Sequence, residues 1–432
     1  LNEMSSCPIY AVGGFVRNKI AGLGETDIDI AGPAIAEALG ISRRYQTKIV
    51  NNKLGTAIIR YNDDKYEYTP FRVERYAPGG EHTPVEVRFT TDLRQDAMRR
   101  DFTCNSIYYD ITNDKIIDPL NGIADIEKKI IRSYNPQRTF SSDGLRILRM
   151  IRLAVETGFK IDGETAKAAK ANAPLLRDIS AERRRQELDR ILLADTKYGV
   201  KWAHYRGLRL IQQLGLWKYL IPQLEDGAGL AQNPVYHKYD VLEHINQTVK
   251  FAAPDVRLAA LMHDVGKPYC VAKFGNMHGH EVISAHIVRY DLGEYGLKYP
   301  NDVIEEVEWL CLNHMYDIAR NTKEAKLKIF VAANFDRIDK LVELMEADNL
   351  ARGMDDETRE VRLKAVKQKL IEEGAPITLS DLKLDGSVLI REGIQPVKIG
   401  GVLNELWRAC VIDPRLNNEA WLLKQVSKYK ED

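Results

Sequence analysis

Asp27 and Asp29 flank Ile28 in TDIDIAG, shortly after Gly13, Gly14 and Arg17 in VGGFVRN. On an extended strand, residues two apart face the same way, so the two carboxylates project together with Ile28 behind them. Two oxygen donors on one face suit Mg²⁺ held against phosphates. A glycine pair lets backbone amides approach a triphosphate closely, and an arginine adds a charge-assisted contact. The plainer reading of the same residues is a tight turn before a solvated acidic strand edge. Glu67, in KYEYTPFR, offers such a site a third carboxylate or is simply solvent-facing.

A second group joins Arg99, Arg100 and Asp101 in RRDFTCNS to Asp143, Arg146, Arg149 and Arg152, which step by three through SDGLRILRMIR. That spacing predicts one helix, with Leu145, Leu148, Ile151 and Val155 on its other flank. Three arginines against one acid leave positive charge for phosphates or bases, although a salt-laced helix is the ordinary alternative. Asp143 and Arg146 pair an acceptor with a fork of donors. Cytosine and adenine each set an exocyclic amino group beside a ring acceptor and fit such a pair, whereas uracil and guanine put a carbonyl against the carboxylate. From Lys128 to Arg190 there are 15 Lys and Arg against 8 Asp and Glu, a local balance of +7. Arg183, Arg184 and Arg185 in this stretch are candidates for gripping an RNA backbone.

A third group is made of histidines. Seven of nine, at 237, 244, 263, 278, 280, 286 and 314, fall within 78 residues. His263 and Asp264 adjoin at the end of the apolar run VRLAALM, and His244 lies on the preceding predicted helix. Neutral imidazoles with an aspartate make a divalent-metal set. His237 and His286 read as satisfied or surface side chains.

The elements that must position these groups change character along the chain. Up to about residue 133, short strands (PIYAVGG, TDIDIAG, GTAIIRY, KYEYTPFRV, VEVRFT, NSIYYD, KIIDP) alternate with turns and one helix candidate, PAIAEALG, predicting a mixed α/β unit with antiparallel pairing. From Ser142 onward, apolar residues recur at three- and four-residue steps and predict helices. Residues 224–236, rich in Gly, Asn and Pro, read as a linker, and 372–377 as a softer boundary. The 432 residues, 44% hydrophobic and 29% charged, suit two to four domains. Lys plus Arg and Asp plus Glu number 62 each, so no uniform basic coat exists, yet a local stripe remains open. Five scattered cysteines indicate neither a disulfide scaffold nor a zinc ribbon. The first residues show no basic-then-apolar leader pattern and no segment reaches 18 uninterrupted apolar residues, so a soluble cytoplasmic protein is expected.

These segments resemble the bacterial-type (class II) tRNA nucleotidyltransferases and poly(A) polymerases, and most closely the CCA-adding enzymes. GGFVRN with TDIDIAG is similar to GGxVRD followed by DxD, RRDFTCNS to RRDFTxNA, and DPLNGIADI to DPFGGxxDL. SDGLRILRMIRLAVETGF is similar to EDxLRxxRxxRFxxxLGF, and SAERRRQELDRIL to the following ERIxxEL helix. Asn18 and Ser142 depart from the usual aspartate and glutamate. HDVGKP resembles the marker of an HD domain, with Asp348 in MEADNLA as its distal aspartate, and His280 and His314 stand where some HD proteins add metal ligands.

The resemblance implies an α+β chain: a polymerase-beta-like head (1–133), a helical neck (134–223), an HD-type body (236–350) and a helical tail (351–432) contacting the tRNA elbow. It implies Mg²⁺ on Asp27 and Asp29, the triphosphate on Gly14 and Arg17, and sugar or phosphate on Arg100. Asp143 and Arg146 would select the base, with Arg149 and Arg152 around the incoming nucleotide. His244, His263, Asp264, Asp348, His280 and His314 would hold a divalent transition metal, unless the HD region is a purely structural module. The implied activity is CCA addition to tRNA from CTP and ATP. Poly(A) synthesis, addition of only C or only A, and an HD phosphohydrolase are the alternatives. The loop 76–86 lies where the family carries a flexible loop linked to switching nucleotide, and Lys398, Gly400 and Gly401 offer either a phosphate contact or a helix-start turn.

Overall fold

The computed structural model describes residues 7–35, 46–61, 64–77, 84–353 and 361–429. Most of the helix candidate PAIAEALG and the centre of the loop 76–86 lie outside the described residues. The chain divides into two units, Leu1–Ala228 with Arg289–Ile304, and Gly229–Val288 with Glu305–Asp432.

The first unit opens with β1 (Tyr10–Val12), α1 (Gly14–Ala21), β2 (Asp29–Gly32), β3 (Gln46–Asn51), β4 (Thr56–Tyr61), β5 (Asp64–Pro70), β6 (Arg72–Arg75) and β7 (Glu86–Phe89). It continues with α2 (Leu93–Arg99), β8 (Tyr108–Asp110), β9 (Lys115–Ile117), α3 (Gly122–Glu127) and β10 (Ile130–Ile131). Seven strands form one sheet in the order β3-β4-β5-β2-β1-β8-β9, antiparallel except for β2 against β5. Neighbouring residues of β2 enter opposite layers, as the two-residue period requires: Ile30 packs with Ile9, Ile59 and Tyr68, and Ala31 with Val12, Phe71 and Tyr108.

Helices follow: α4 (Pro136–Ser142), α5 (Leu145–Thr157), the short strand β11 (Lys160–Ile161), α6 (Gly163–Ala171), α7 (Ala181–Leu192), α8 (Ala194–Tyr198), α9 (Ala203–Gln213), α10 (Trp217–Leu220) and α11 (Pro222–Glu225). Helix α5 buries Leu145, Leu148, Ile151 and Val155 and stops at Gly158, whose φ of 75° is the left-handed C-terminal cap. One expectation is corrected here. Asp143 is not on a helix with Arg146, because the backbone is extended at Asp143 and breaks the run into α4 and α5. The Asp143 carboxylate instead accepts from the Leu145 amide at 3.0 Å, the side-chain capping that competes with helix continuation.

The second unit is helical among its described residues. It comprises α12 (Val241–Phe251), α13 (Arg257–Met262), α14 (Lys267–Phe274), most of α15 (His280–Asp291), most of α16 (Asn301–Asn313), α17 (Glu324–Ala333), α18 (Ile338–Ala351), α19 (Arg362–Glu372), α20 (Gly386–Arg391), α21 (Pro396–Ile412) and α22 (Glu419–Val426). Lys398, Gly400 and Gly401, read as a phosphate contact or a helix-start turn, lie in the first turns of α21. Pro396 in its first turn and buried Val402, Leu406, Trp407, Cys410 and Val411 outweigh the weak propensity of two glycines. No described helix is long and apolar enough to cross a membrane.

Helix α3 illustrates how tightly the head is built beside its functional residues. Asp118 accepts from the amides of Gly122 (2.8 Å) and Ile123 (2.9 Å), satisfying the first turn. A Cβ at Gly122 would stand 2.2 Å from the Thr103 carbonyl oxygen, in the 3₁₀ turn Thr103–Asn105. Gly122→Ala should therefore destabilise the head by about 1–3 kcal/mol despite alanine's better helix propensity, read as a lowered urea midpoint.

Candidate active site and metal centre

A cavity of about 420 Å³ in the first unit is lined by Gly13, Gly14, Arg17 and Asp29 from the sheet side and by Asp143, Arg146, Arg149, Arg152, Arg183 and Lys197 from the helices. Arg100 and Asp101 line it too. The structure thus brings together Gly14, Arg17, Asp29, Arg100, Asp143, Arg146, Arg149 and Arg152 of the sequence reading.

Its acidic side is built by the sheet. Strand β2 begins at Asp29, so Asp27 sits two residues before the strand rather than within it. The parallel register sets Asp29 opposite Glu67, whose side chain falls on the same face of the neighbouring strand. Although Asp29 reaches solvent, the surrounding protein pushes its pKa up to about 6; Glu67 and Asp27 add to the rise, and Arg100 and Arg149 oppose it. Such crowding of carboxylates is what a bound divalent cation relieves. Gly13 has a φ of 78°, and a Cβ there would stand 3.3 Å from Asp29 Oδ2, so the glycine brings the start of α1 against the carboxylate.

The cationic side is held by buried acids. Arg100 meets Asp96 at 3.1 Å and the Tyr108 hydroxyl at 3.0 Å. Arg149 grips Asp101 Oδ2 through Nε (3.1 Å) and an Nη (2.7 Å). Asp101 Oδ1 accepts from Asn105 at 3.0 Å, and Asn105 Oδ1 accepts from Arg17 at 2.6 Å, so one chain of hydrogen bonds runs from Arg17 to Arg149. Burial raises the pKa of Asp101, but Arg149, Asn105 and Arg146 outweigh it and hold the carboxyl well below the usual range. Arg152 lies 3.2 Å from Glu187. Arg146 donates to the Arg99 carbonyl at 3.2 Å, and Arg183 stands 3.6 Å from Asp143.

The three consecutive arginines do not form one RNA-facing surface. Arg183 faces Asp143 in the cavity, Arg184 bonds the Tyr219 carbonyl, and Arg185 bonds the Lys298 carbonyl and lies 5.4 Å from the Tyr299 ring centre. Successive helical residues point about 100° apart, which separates them. Asp96, Asn105, Lys197 and Tyr198 went unread as site residues. Asn105 lay within RRDFTCNS, but nothing in ADTKYGV signals the last two.

The second unit carries a distinct centre. His244, His263 and Asp264 bring ligand atoms together, as do Asp264, His280 and His314. Asp348 lies 2.9 Å from His244 Nε2 and 3.8 Å from His263 Nε2. His263, His280 and His314 each bond a backbone carbonyl through Nδ1, at 2.8, 2.8 and 2.6 Å. That turns their Nε2 atoms inward, the usual orientation of metal-binding imidazoles. His263 Nε2 and Asp264 Oδ1 are buried and have no aligned hydrogen bond. Burial would lower the His244 pKa, but Asp264 and Asp348 carry it up to about 9, while burial, His263 and His280 depress His314 to about 3. Lys267 reaches Asp264 Oδ2 at 2.6 Å and Gln232 at 2.8 Å. His237, read as satisfied or surface, instead sits edge-on to His244 with ring centres 4.6 Å apart, whereas His286 is exposed. The donor set fits a divalent transition metal.

Family comparisons follow this division. The Poly A polymerase head domain matches residues 9–132, the probable RNA- and SrmB-binding site of polymerase A matches 158–227, and the HD domain matches 239–354. The CC-adding tRNA nucleotidyltransferase of Thermus thermophilus is 30% identical over 371 residues, 82% of this chain and 78% of that protein. The CCA-adding enzyme of Bacillus pumilus is 39% identical over 184 residues (42% of this chain, 45% of that one), and that of Geobacillus thermodenitrificans 33% over 259 residues (60% and 59%). The chain thus matches about half the length of these CCA-adding relatives. The crystal structure of the Bacillus stearothermophilus CCA-adding enzyme in complex with CTP superposes with a TM-score of 0.67 at 24% identity over 97% of this chain and 93% of that one, a likeness of fold.

Asp96 supplies a measurable signature of the cationic wall. Burial pushes its pKa up, but Arg100, Arg99 and the Tyr108 hydroxyl prevail and bring it to about 2. An unfolded aspartate titrates near 3.9, so the carboxylate's contribution is full above about pH 4 and fades as pH falls toward about 2. Asp96→Asn should cost about 2–3 kcal/mol at neutral pH and flatten the acid limb between about pH 4 and 2, followed by urea unfolding at stepped pH.

Proposed function

The chain belongs to the tRNA nucleotidyltransferase family, and on that premise we propose that it completes the 3′-terminal CCA of tRNA from CTP and ATP, releasing pyrophosphate. The observation that carries this reading is the one cavity in which Asp29, set opposite Glu67 by the sheet register, is brought together with Arg17, Arg100 and Arg149. Asp27 and Asp29 would hold Mg²⁺, which when bound lowers the pKa of the tRNA 3′-hydroxyl and offsets charge on the triphosphate. Arg17 and the amides at the start of α1 receive the phosphates, with Gly14 leaving room for them. Arg100, fixed by Asp96 and Tyr108, faces the sugar or phosphates without needing to reorganise. Asp143 and Arg146 read the amino group and ring acceptor shared by cytosine and adenine, Arg183 helps hold Asp143, and Arg149 and Arg152 line the incoming nucleotide.

The proposed division is a head over 1–133, a neck over 134–223, an HD body over 236–350 and a tail over 351–432 that meets the tRNA elbow. Work on tRNA with CTP and ATP implies a cytoplasmic setting for this reading. A second reading, addition of CC alone, is favoured by one observation: the relative aligned over 82% of the chain is a CC-adding protein. Purified protein given tRNA that ends before CCA, with CTP, ATP or both, distinguishes the two by product length. Three added nucleotides support the first reading, two with ATP ignored support the second, and no extension overturns both.

Asp27→Ala and Asp29→Ala should each reduce nucleotide addition on the order of 100-fold or more, the scale of losing a principal electrostatic group. tRNA retention on a filter should stay near the parent's, because phosphate contacts dominate that affinity.

For the second unit, the reading is a divalent transition metal on His244, His263, Asp264, Asp348, His280 and His314, with metal-dependent phosphohydrolysis as the alternative to a purely structural module. A variant carrying both His263→Ala and Asp264→Ala should lose copurifying metal by elemental analysis and any phosphatase or cyclic phosphodiesterase activity. Its rate of nucleotide addition should remain near the parent's.

A further inference from the structure

Asn18 occupies the place of the aspartate in the GGxVRD pattern, and its side-chain amide is used from both ends. Oδ1 accepts from Arg17 Nε at 3.1 Å and from an Arg17 Nη at 2.8 Å. Nδ2 donates to the Gly24 carbonyl at 2.7 Å and to the Tyr198 hydroxyl at 2.9 Å. With Asn105 accepting from the remaining Nη at 2.6 Å, every guanidinium nitrogen of buried Arg17 is engaged. A carboxylate at position 18 would keep the contact with Arg17 but has no donor, and would set an oxygen against the Gly24 carbonyl. The amide is therefore fitted to its surroundings in this chain, and Gly24 belongs to the segment leading to Asp27 and Asp29.

Tyr198 ends α8, 180 residues further along the sequence. A Cβ on Gly24 would lie 3.6 Å from its ring, and Lys197 Nζ lies 5.4 Å from its ring centre. Lys197 lines the cavity, but neither Asn18 nor Tyr198 does. Tyr198 therefore acts on the cavity only through neighbours, and its hydrogen bond leads through Asn18 to Arg17, which does line it.

We propose that Tyr198 is a positioning residue that, through Asn18, latches the helical part of the first unit to Arg17 and fixes the guanidinium for the nucleoside triphosphate. The proposal rests on the reading of the cavity as a nucleotide site. It explains a local departure from the family pattern: an amide at 18 serves a partner that can accept from it at one end and a cation at the other.

The test uses the full chain with CTP and Mg²⁺. Tyr198→Phe should raise the CTP Kd by titration calorimetry, and the CTP KM in nucleotide addition, roughly 2- to 10-fold, the scale of one hydrogen bond. The kcat, tRNA affinity and melting temperature should stay near the parent's. Asn18→Asp should weaken CTP at least as much, since both donor contacts are lost. In an Arg17→Lys background, which retains a charge but lacks the fork onto Asn18, Tyr198→Phe should have little further effect. The same penalty with Arg17 or Lys at position 17, or an unchanged CTP Kd and KM in Tyr198→Phe, would overturn the latch while leaving the nucleotide site standing. A parent protein that fails to bind CTP would overturn both.

Discussion

The carboxylate of Asp101 is the joint on which the first unit depends. It is buried, and it can remain ionised there because Arg149 meets one oxygen while Asn105 and the Phe102 amide satisfy the other. Through Asn105 it fixes Arg17 beside β1 and β2; through Arg149 it fixes the face of α5. Removing the charge would leave Arg149 without its ion-pair partner in a cavity already rich in arginine, so sheet and helices would lose their common reference together. The surplus of cations facing the cavity is tolerated for a related reason: Arg100, Arg149 and Arg152 are held by Asp96, Asp101 and Glu187, and Arg146 by the Arg99 carbonyl.

Much of this was readable from the chain because motif order and hydrophobic period coincide. The strands from PIYAVGG to KIIDP and the helix through Leu148, Ile151 and Val155 follow directly from residue spacing. Asp29, and Arg146 with Arg149 and Arg152, could be picked out as residues of one cavity because charged residues stood at fixed steps against apolar ones. The break at Asp143 was not, since a capping carboxylate and a helical one look alike in a string of letters. Nor was the dispersal of Arg183, Arg184 and Arg185, whose partners Asp143, Tyr219 and Lys298 come from distant segments. Tyr198 was illegible for the same reason: a tertiary hydrogen bond leaves no periodic trace.

The histidine cluster shows the opposite case, where composition alone was informative. Helices converge in the second unit with backbone carbonyls fixing the tautomers, so the ligand geometry is set before any ion arrives. Asp264 belongs to both ligand groups, with His244 and His263 approaching Oδ2, and His280 and His314 approaching Oδ1. Occupancy of one group therefore changes the charge seen by the other, and the centre has to be understood as a coupled set of donors rather than as separate sites.

The strand order of the head bears on how the protein is made. Strand β1 lies between β2 and β8, pairing Tyr10 with Ala31 on one side and with Asp110 on the other, partners 21 and 100 residues away (31 − 10 and 110 − 10). On a growing chain β1 can close its first ladder early, but its second edge stays unsatisfied until β8 has emerged. Non-local pairings of this kind are slow to form and leave sticky edges exposed in the interval. The carboxylates at the start of β2 thus reach their final surroundings only after more than a hundred residues have been synthesised, which makes assembly of the head, rather than of the helices that follow it, the step at which a nascent chain is most open to misfolding.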